Sequence, residues 1–206
     1  MSTLTAAART DDLARQAEDR PHLRLVTTDA PAPAATPFGH PLRWGLVDWR
    51  IDIENLCGTG DPGVGLVRAV WASLSPLIQT GDTVTIATGK LCAPVVRMAL
   101  RHTGARFLVR GGKDGADLAL LADADFDQIS ARNHWVAIAG GDAAYLSLAR
   151  RASVYGLRTW LVNGESRPSR ALVDAVDIHS QLRVRRPGRY LTPAPARTGA
   201  PLRATA

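Results

Sequence analysis

The sequence predicts an α/β protein in which helices cover both faces of a parallel β-sheet, a three-layer sandwich. Between residues 44 and 182, short β-branched and apolar segments alternate with longer segments of helical periodicity. The helical segments are long enough to serve as crossovers between parallel strands. The chain has 206 residues, of which 46% are hydrophobic and 21% charged, so one domain can bury a core.

The predicted elements follow one another regularly along the chain. The strands are expected at 44–52, 82–89, 105–111, 134–141 and 157–164. The helices are expected at 61–79, 91–104, 115–130, 142–156 and 169–177. Pro62 fits a first helical turn, Pro76 bends or ends the same helix, Gly104 fits a helix stop, and Asp142 fits an N-cap.

Two segments outside 44–182 have the composition of disordered chain. Residues 1–43 combine a weak helical pattern at 11–19 with a Pro- and Ala-rich stretch. Residues 183–206 contain six arginines and no acidic residue, which accounts for the net charge of +6. Such a tail could bind phosphates through its charge or remain a solvated extension, and the sequence leaves both options open.

Cellular context is constrained by what the sequence lacks. No apolar run is long enough for a membrane helix, and the first residues do not resemble a secretory signal. Two cysteines, Cys57 and Cys92, are too few for a disulfide framework or a zinc cluster. We therefore expect a cytoplasmic protein that does not associate with membranes. Its oligomeric state is left open, with a homodimer as one option.

Carboxylates and an amide follow several predicted strands. Asp52 and Asn55 follow the first strand, Asp117 follows the third, and Asp142 follows the fourth. The carboxyl ends of parallel strands share one edge of a sheet, where ligands bind in such folds. Clustered carboxylates repel one another unless a divalent cation such as Mg²⁺ or Mn²⁺ offsets their charge. The pattern predicts metal-assisted hydrolysis of a nucleic-acid backbone, although Asp117 and Asp142 could each serve only a helix start.

Three short motifs resemble those of the NYN domain, a branch of the PIN-like nucleases. The first strand ends in Asp52-Ile53-Glu54-Asn55-Leu56, similar to the family's Asp-x-x-Asn element. Asp114-Gly115-Ala116-Asp117, followed by Asp123, resembles its Lys-Gly-x-Asp element, with Lys113 one position early. Gly140-Gly141-Asp142-Ala143-Ala144-Tyr145 resembles its Ser-Gly-Asp-x-Asp-Phe element. The resemblance covers about residues 45–182.

This resemblance implies a PIN-like, Rossmann-like sheet in the order 3-2-1-4-5 and an Mg²⁺- or Mn²⁺-dependent ribonuclease. An endoribonuclease is expected, although the sequence does not decide between internal and terminal cleavage. The implied metal ligands are Asp52, Asp117 and Asp142, with Asn55 as a supporting catalytic residue and Asp123 as an additional acid. The chain departs from the family pattern at Ala144, where an acid is missing, and at Gly140, where a serine is replaced.

Basic residues at several positions could bind the RNA backbone. Lys113 follows Gly111-Gly112, a phosphate-cradling pattern that could equally be a plain turn. Arg150 and Arg151 lie on the helix after Asp142 and could form a binding edge or a solvated face. The remaining candidates lie in the basic tail: Arg183, Arg185 and Arg186.

Three other functions have partial matches in the sequence. Loss of the acid at Ala144 would fit a degenerate PIN-like module that binds RNA or regulates without catalysis. A G-x-G-x-x-G pattern at Gly58, Gly60 and Gly63 would suggest a dinucleotide site, but the pattern begins well after the strand ends, which disfavours this interpretation. A phosphatase would need a second Asp two residues after Asp52, where Glu54 stands instead.

Overall fold

The protein is described by a computed structural model that covers residues 45–184. One six-stranded, all-parallel sheet has the order β3-β2-β1-β4-β5-β6. This confirms the predicted α/β class and the order of the first five strands. The strands are β1 (Val47–Asp52), β2 (Thr83–Gly89), β3 (Arg106–Arg110), β4 (Trp135–Ala139), β5 (Arg158–Asn163) and β6 (Ile178–Gln181).

Seven α-helices lie within the described residues. They are α1 (Ile53–Cys57), α2 (Val64–Leu74), α3 (Ala93–Leu100), α4 (Gly115–Asp123), α5 (Phe126–Arg132), α6 (Leu146–Val154) and α7 (Arg170–Val173). Short 3-10 turns at Ser75–Leu77 and Ala143–Tyr145 end α2 and precede α6. No helix in 45–184 is long and apolar enough to cross a membrane.

Two apolar cores lie on opposite faces of the sheet and define the three layers. One core joins the odd-numbered residues of β1, among them Trp49, to helices α2 and α3. The other joins β4 and β5 to helices α4 to α7 through residues such as Leu120, Ile138 and Leu148. Trp49 and Trp160 pack with ring centroids 5.2 Å apart. Burial on both faces explains why the strands are apolar along most of their length.

The prediction of one helix over 115–130 is wrong. The chain becomes extended at Ala124, and Asp125 starts a new helix by accepting hydrogen bonds from the backbone N–H groups of Asp127 and Gln128. An N-cap of this kind satisfies two free donors and so favours a break. Apolar spacing alone did not reveal the break, because it continues across both helices.

Two other boundaries differ from the sequence predictions. Helix α2 begins at Val64, so Pro62 precedes it instead of occupying its first turn. A sixth strand, β6, forms where only the end of the fold was expected, pairing Ile178 with Trp160 of β5. Its four residues are too short and too polar to be separated from a tail by composition. The predictions for 1–43, including the weak helix at 11–19, and for 185–206 lie outside the described residues.

Candidate acidic site at the carboxyl edge of the sheet

Two buried carboxylates meet at the carboxyl edge of the sheet. Asp52 is the last residue of β1, and Asp117 lies in the first turn of α4. They are only 5% and 7% exposed. Within 45–184, no Lys, Arg or His side chain forms an ion pair with either of them. Two neighbouring acids without a cation are costly in a folded protein, which marks this place for attention.

The hydroxyl of Tyr145 joins these two acids. Its oxygen lies 2.8 Å from Oδ2 of Asp52 and also contacts Oδ1 of Asp117. A phenol carries one proton and can donate to only one carboxylate. The second contact is a hydrogen bond only when that other carboxyl group is protonated and donates to the phenol oxygen. The geometry is therefore that of an acid pair that retains a proton.

The electrostatics of the pair agree with this geometry. The pKa of Asp52 is raised to about 7, chiefly by burial and also by the neighbouring Asp117, while hydrogen bonds from Asn55 and Tyr145 act in the opposite direction. Burial and the charge of Asp52 also raise the pKa of Tyr145 far above its ordinary value. Tyr145 therefore stays a neutral phenol at any physiological pH.

Asn55 links the end of β1 to the loop after β4. Its backbone N–H donates to Oδ1 of Asp52 over 3.0 Å, and its side-chain oxygen accepts from the N–H of Gly141 over 2.7 Å. The second bond anchors the loop that carries Asp142 after β4. Asn55, predicted as a supporting residue, thus bonds both to Asp52 at the end of β1 and to the loop after β4.

Asp142 faces the same cleft but is exposed. Its Oδ1 accepts from the N–H of Ala144 over 3.0 Å, so it caps the 3-10 turn before α6. Both the capping and the site interpretations of Asp142 are compatible with this position. Gly140, two residues earlier, packs closely against the site, because a Cβ there would lie 3.1 Å from the ring of Tyr145.

The acids line an open cleft of about 360 Å³. The lining residues are Asp52, Glu54, Asn55, Gly58, Thr59, Gly60, Asp117, Asp142 and Ser166. Glu54 was not chosen as a site residue, yet its Oε1 accepts from Thr88 Oγ1 and from the N–H of Gly89, over 2.7 and 2.6 Å. Its position between Asp52 and Asn55 in the sequence could have marked it as a site residue. Thr59 lies within the G-x-G-x-x-G pattern, and Ser166 comes from the loop after β5.

The donor chemistry of the cleft suits a hard divalent cation. Mg²⁺ is commonly held by one or two carboxylates and several waters, which the pair of Asp52 and Asp117 can provide. Within 45–184, however, no three acidic, histidine or cysteine side chains are close enough to form a ligand group. Asp142 lines the same cleft as Asp52 and Asp117, and its role as a direct ligand stays a prediction.

Asp123 does not reach the cleft, so the expectation that it adds an acid there is wrong. Its carboxylate binds Arg50 of β1 over 2.5 Å and Arg106 of β3 over 2.6 Å. These arginines overcome the effect of burial and lower the pKa of Asp123. Six residues of helix separate it from Asp117 by about 9 Å along the axis, which carries it toward the amino edge of the sheet.

The predicted RNA-binding residues are dispersed. Lys113 is exposed in the loop after β3, Arg150 is exposed on α6, and Arg183 is exposed just after β6. The guanidinium carbon of Arg151 lies 4.7 Å from the ring centre of Phe126, in α5, so this side chain packs away from the cleft. Arg185 and Arg186 fall outside the described residues.

Fold and site together define a Rossmann-like α/β protein with an acidic cleft at the carboxyl edge of its sheet. One similar solved structure is a protein of unknown function from Vibrio parahaemolyticus, with a TM-score of 0.50 and 16% sequence identity. The match covers 70% of this chain and 96% of the other, and it shows the fold alone. No protein-family profile and no curated protein sequence matches the chain.

Proposed function

We propose that the chain is a metal-dependent ribonuclease acting in the cytoplasm, with its site in the acidic cleft. The main support for this proposal is the pairing of Asp52 with Asp117 through Tyr145, without an arginine or lysine partner in 45–184. The third buried acid within 45–184 does have a basic partner. Asp48, only 2% exposed, bonds to the guanidinium of Arg50. A buried acid pair without such a partner is the arrangement found at functional sites.

The position of the pair supports the same proposal. It lies at the carboxyl edge beside β1 and β4, where the strand order reverses direction along the chain. Open α/β sheets bind their ligands at such a switch point. The resemblance to NYN-domain motifs adds the substrate class, RNA, and the cofactor, Mg²⁺ or Mn²⁺.

The predicted site residues take separate roles in this proposal. Asp52 and Asp117 would hold the cation directly, and Asp142, which lines the same cleft, would act through a water. When bound, the ion would lower the pKa of a coordinated water and offset charge on a phosphodiester. Asn55 keeps the loop that carries Asp142 close to Asp52 at the end of β1. Lys113 and the tail arginines would attract phosphates.

A second candidate is an RNA-binding or regulatory module without catalysis. Two observations favour it specifically. Tyr145 already satisfies oxygens of Asp52 and Asp117, and Ala144 supplies no acid beside Asp142. A domain that had lost its cation would need such a substitute hydrogen bond to keep the acids buried.

Cleavage of labelled RNA distinguishes the two candidates. Single-stranded and hairpin RNAs are incubated with Mn²⁺, Mg²⁺ or EDTA and with wild type, Asp52→Asn or Asp142→Asn. Asp127→Asn, which removes an exposed charge from α5, is the matched control. A nuclease cuts only with metal, loses activity in both site variants and keeps it in the control. Salt-sensitive RNA binding without cutting by wild type would reject the nuclease and support the binding module.

A further inference from the structure

The central strand β1 carries a charged face inside the protein. Val47, Trp49 and Ile51 point to one core, while Asp48, Arg50 and Asp52 alternate with them on the other face. Asp48 and Arg50 are 2% and 4% exposed, so both charges are buried. Charges in such a place need partners, and Arg50 donates to Asp48 over 2.5 Å.

The second partner of Arg50 comes from helix α4. Arg50 Nη1 binds Oδ2 of Asp123, the last residue of that helix, over 2.5 Å. Arg106, the first residue of β3, binds both oxygens of the same carboxylate. Asp123 therefore ties α4 to the central strand and to an edge strand at once.

Helix α4 lacks the usual anchor at its other end. Asp114 occupies the N-cap position in a left-handed conformation with φ of 55°, and its side chain makes no capping hydrogen bond. Near the end of β1, Asp117 and Asp52 both contact the hydroxyl of Tyr145. Polar contacts thus attach the helix to β1 at both ends.

We infer that Asp123, held by Arg50 and Arg106, is a positioning residue that sets the distance between the carboxylates of Asp117 and Asp52. Arg50 is two residues from Asp52 on β1, and Asp123 is at the opposite end of the helix that carries Asp117. Releasing Asp123 frees α4 to shift along its axis, which moves Asp117 away from Tyr145. As a statement about cation binding, this inference rests on the proposed function.

Two readouts test the positioning role separately from RNA cleavage. The first is Mn²⁺ affinity by calorimetry, and the second is the NMR resonance of the buried Tyr145 hydroxyl proton, which reports its hydrogen bonds directly. The variants are Asp123→Asn and the milder Arg106→Gln, which removes the half-exposed arm of the cluster. Asp177→Asn is the matched control, because it breaks an ion pair with Arg158 and bonds to Thr159 but contacts neither α4 nor β1.

Asp123→Asn should weaken Mn²⁺ binding about tenfold, as loss of supporting partners does at metal sites. It should also shift or broaden the Tyr145 hydroxyl resonance. Arg106→Gln should change both readouts less and in the same direction, and Asp177→Asn should change neither, even where it lowers thermal stability. Wild-type values in the folded Asp123→Asn and Arg106→Gln proteins would overturn the inference.

Two further outcomes distinguish failure of the positioning role from misfolding of a variant and from failure of the proposed function. If Asp123→Asn does not fold, Arg106→Gln decides by the same readouts. If wild type binds no Mn²⁺, the proposed function fails, and the Tyr145 resonance alone decides the inference: unchanged in both variants, it overturns the positioning role.

Discussion

The phenol oxygen of Tyr145 lies 2.8 Å from Oδ2 of Asp52, although 93 residues separate them in the chain. The same oxygen contacts Asp117, so one hydroxyl organises the acids of the cleft. Tyr145 comes from the 3-10 turn before α6, and its ring is fully buried in the core beneath the cleft. Packing of that ring thereby places a polar group between two carboxylates.

Replacing Tyr145 by Phe should make the fold more dependent on a cation. The change keeps the ring but leaves Asp52 and Asp117 without their shared hydrogen bond, at a cost of about 1–3 kcal/mol. Mn²⁺ should then raise the thermal midpoint of Tyr145→Phe more than that of wild type. In wild type the Tyr145 hydroxyl already stabilises the two acids, whereas in the variant only the ion can do so. Differential scanning calorimetry with Mn²⁺ or EDTA measures this. Equal metal-induced shifts in the two proteins would contradict it.

Stability in metal-free buffer should depend on pH through Asp52. Its pKa is 3.8 in an ordinary setting and about 7 in the fold, so the folded state binds the extra proton. The resulting stabilisation is complete below the lower pKa and is lost as pH rises toward the higher one. Between about pH 5 and about pH 7, wild type should lose roughly 1 kcal/mol per pH unit relative to Asp52→Asn.

Urea unfolding with EDTA across that pH range tests the prediction. Asp123→Asn provides a control of opposite sign, because Asp123 has a lowered pKa in the fold. Its stabilisation is present above the ordinary pKa and is lost as pH falls through the lowered one. A stability difference between wild type and Asp52→Asn that does not vary with pH would show that the pKa of Asp52 is not raised in the folded state.

Replacing Asn55 by Ala should loosen the loop that carries Asp142. The N–H of Gly141 would lose its acceptor, at a cost of about 1 kcal/mol. Hydrogen exchange of the Gly141 amide should become faster in Asn55→Ala. Asn55→Asp retains an acceptor oxygen and should keep that amide protected. Unchanged protection in the Ala variant would show that the loop is held by other contacts.

Restoring an acid at Ala144 separates the two candidate functions. In a weak nuclease, Ala144→Asp should raise the metal-dependent cleavage rate by roughly tenfold or more, since it adds a charged group beside Asp142. Ala143→Asp places the same charge one residue earlier on the turn and serves as control. No gain in Ala144→Asp would favour the binding module.

The basic tail should contribute to RNA affinity through charge alone. Changing Arg183, Arg185 and Arg186 to Gln should reduce the slope of log affinity against log salt by about 2, at about 0.7 per phosphate contact on a single strand. A matched triple change of exposed helix arginines, Arg68, Arg97 and Arg132, should leave the slope unchanged. Fluorescence anisotropy at several salt concentrations measures both. Equal slopes in all proteins would exclude the tail as a phosphate contact.

Local sequence patterns determined the α/β class, five strands and their parallel arrangement, because alternation of strand and helix leaves few ways to bury both faces. They also placed Asp52, Asn55, Asp117 and Asp142 at one edge of the sheet, since strand ends share that edge. The break between α4 and α5 and the short strand β6 escaped them. The break depends on the N-cap at Asp125, and β6 depends on its pairing with β5, and neither feature follows from apolar periodicity.

Only the tertiary structure decided how the acids are used. Asp117 and Asp123 lie on one helix, yet one meets Tyr145 at the cleft and the other binds Arg50. Spacing along a helix does not encode this choice, because it depends on which side chains neighbouring strands and turns present. The sequence by itself determined where acids could gather. The positions of Tyr145 and Arg50 determined which of these acids has a basic partner and which does not. Burying a charge is costly, and only contacts between residues distant in the chain offset that cost.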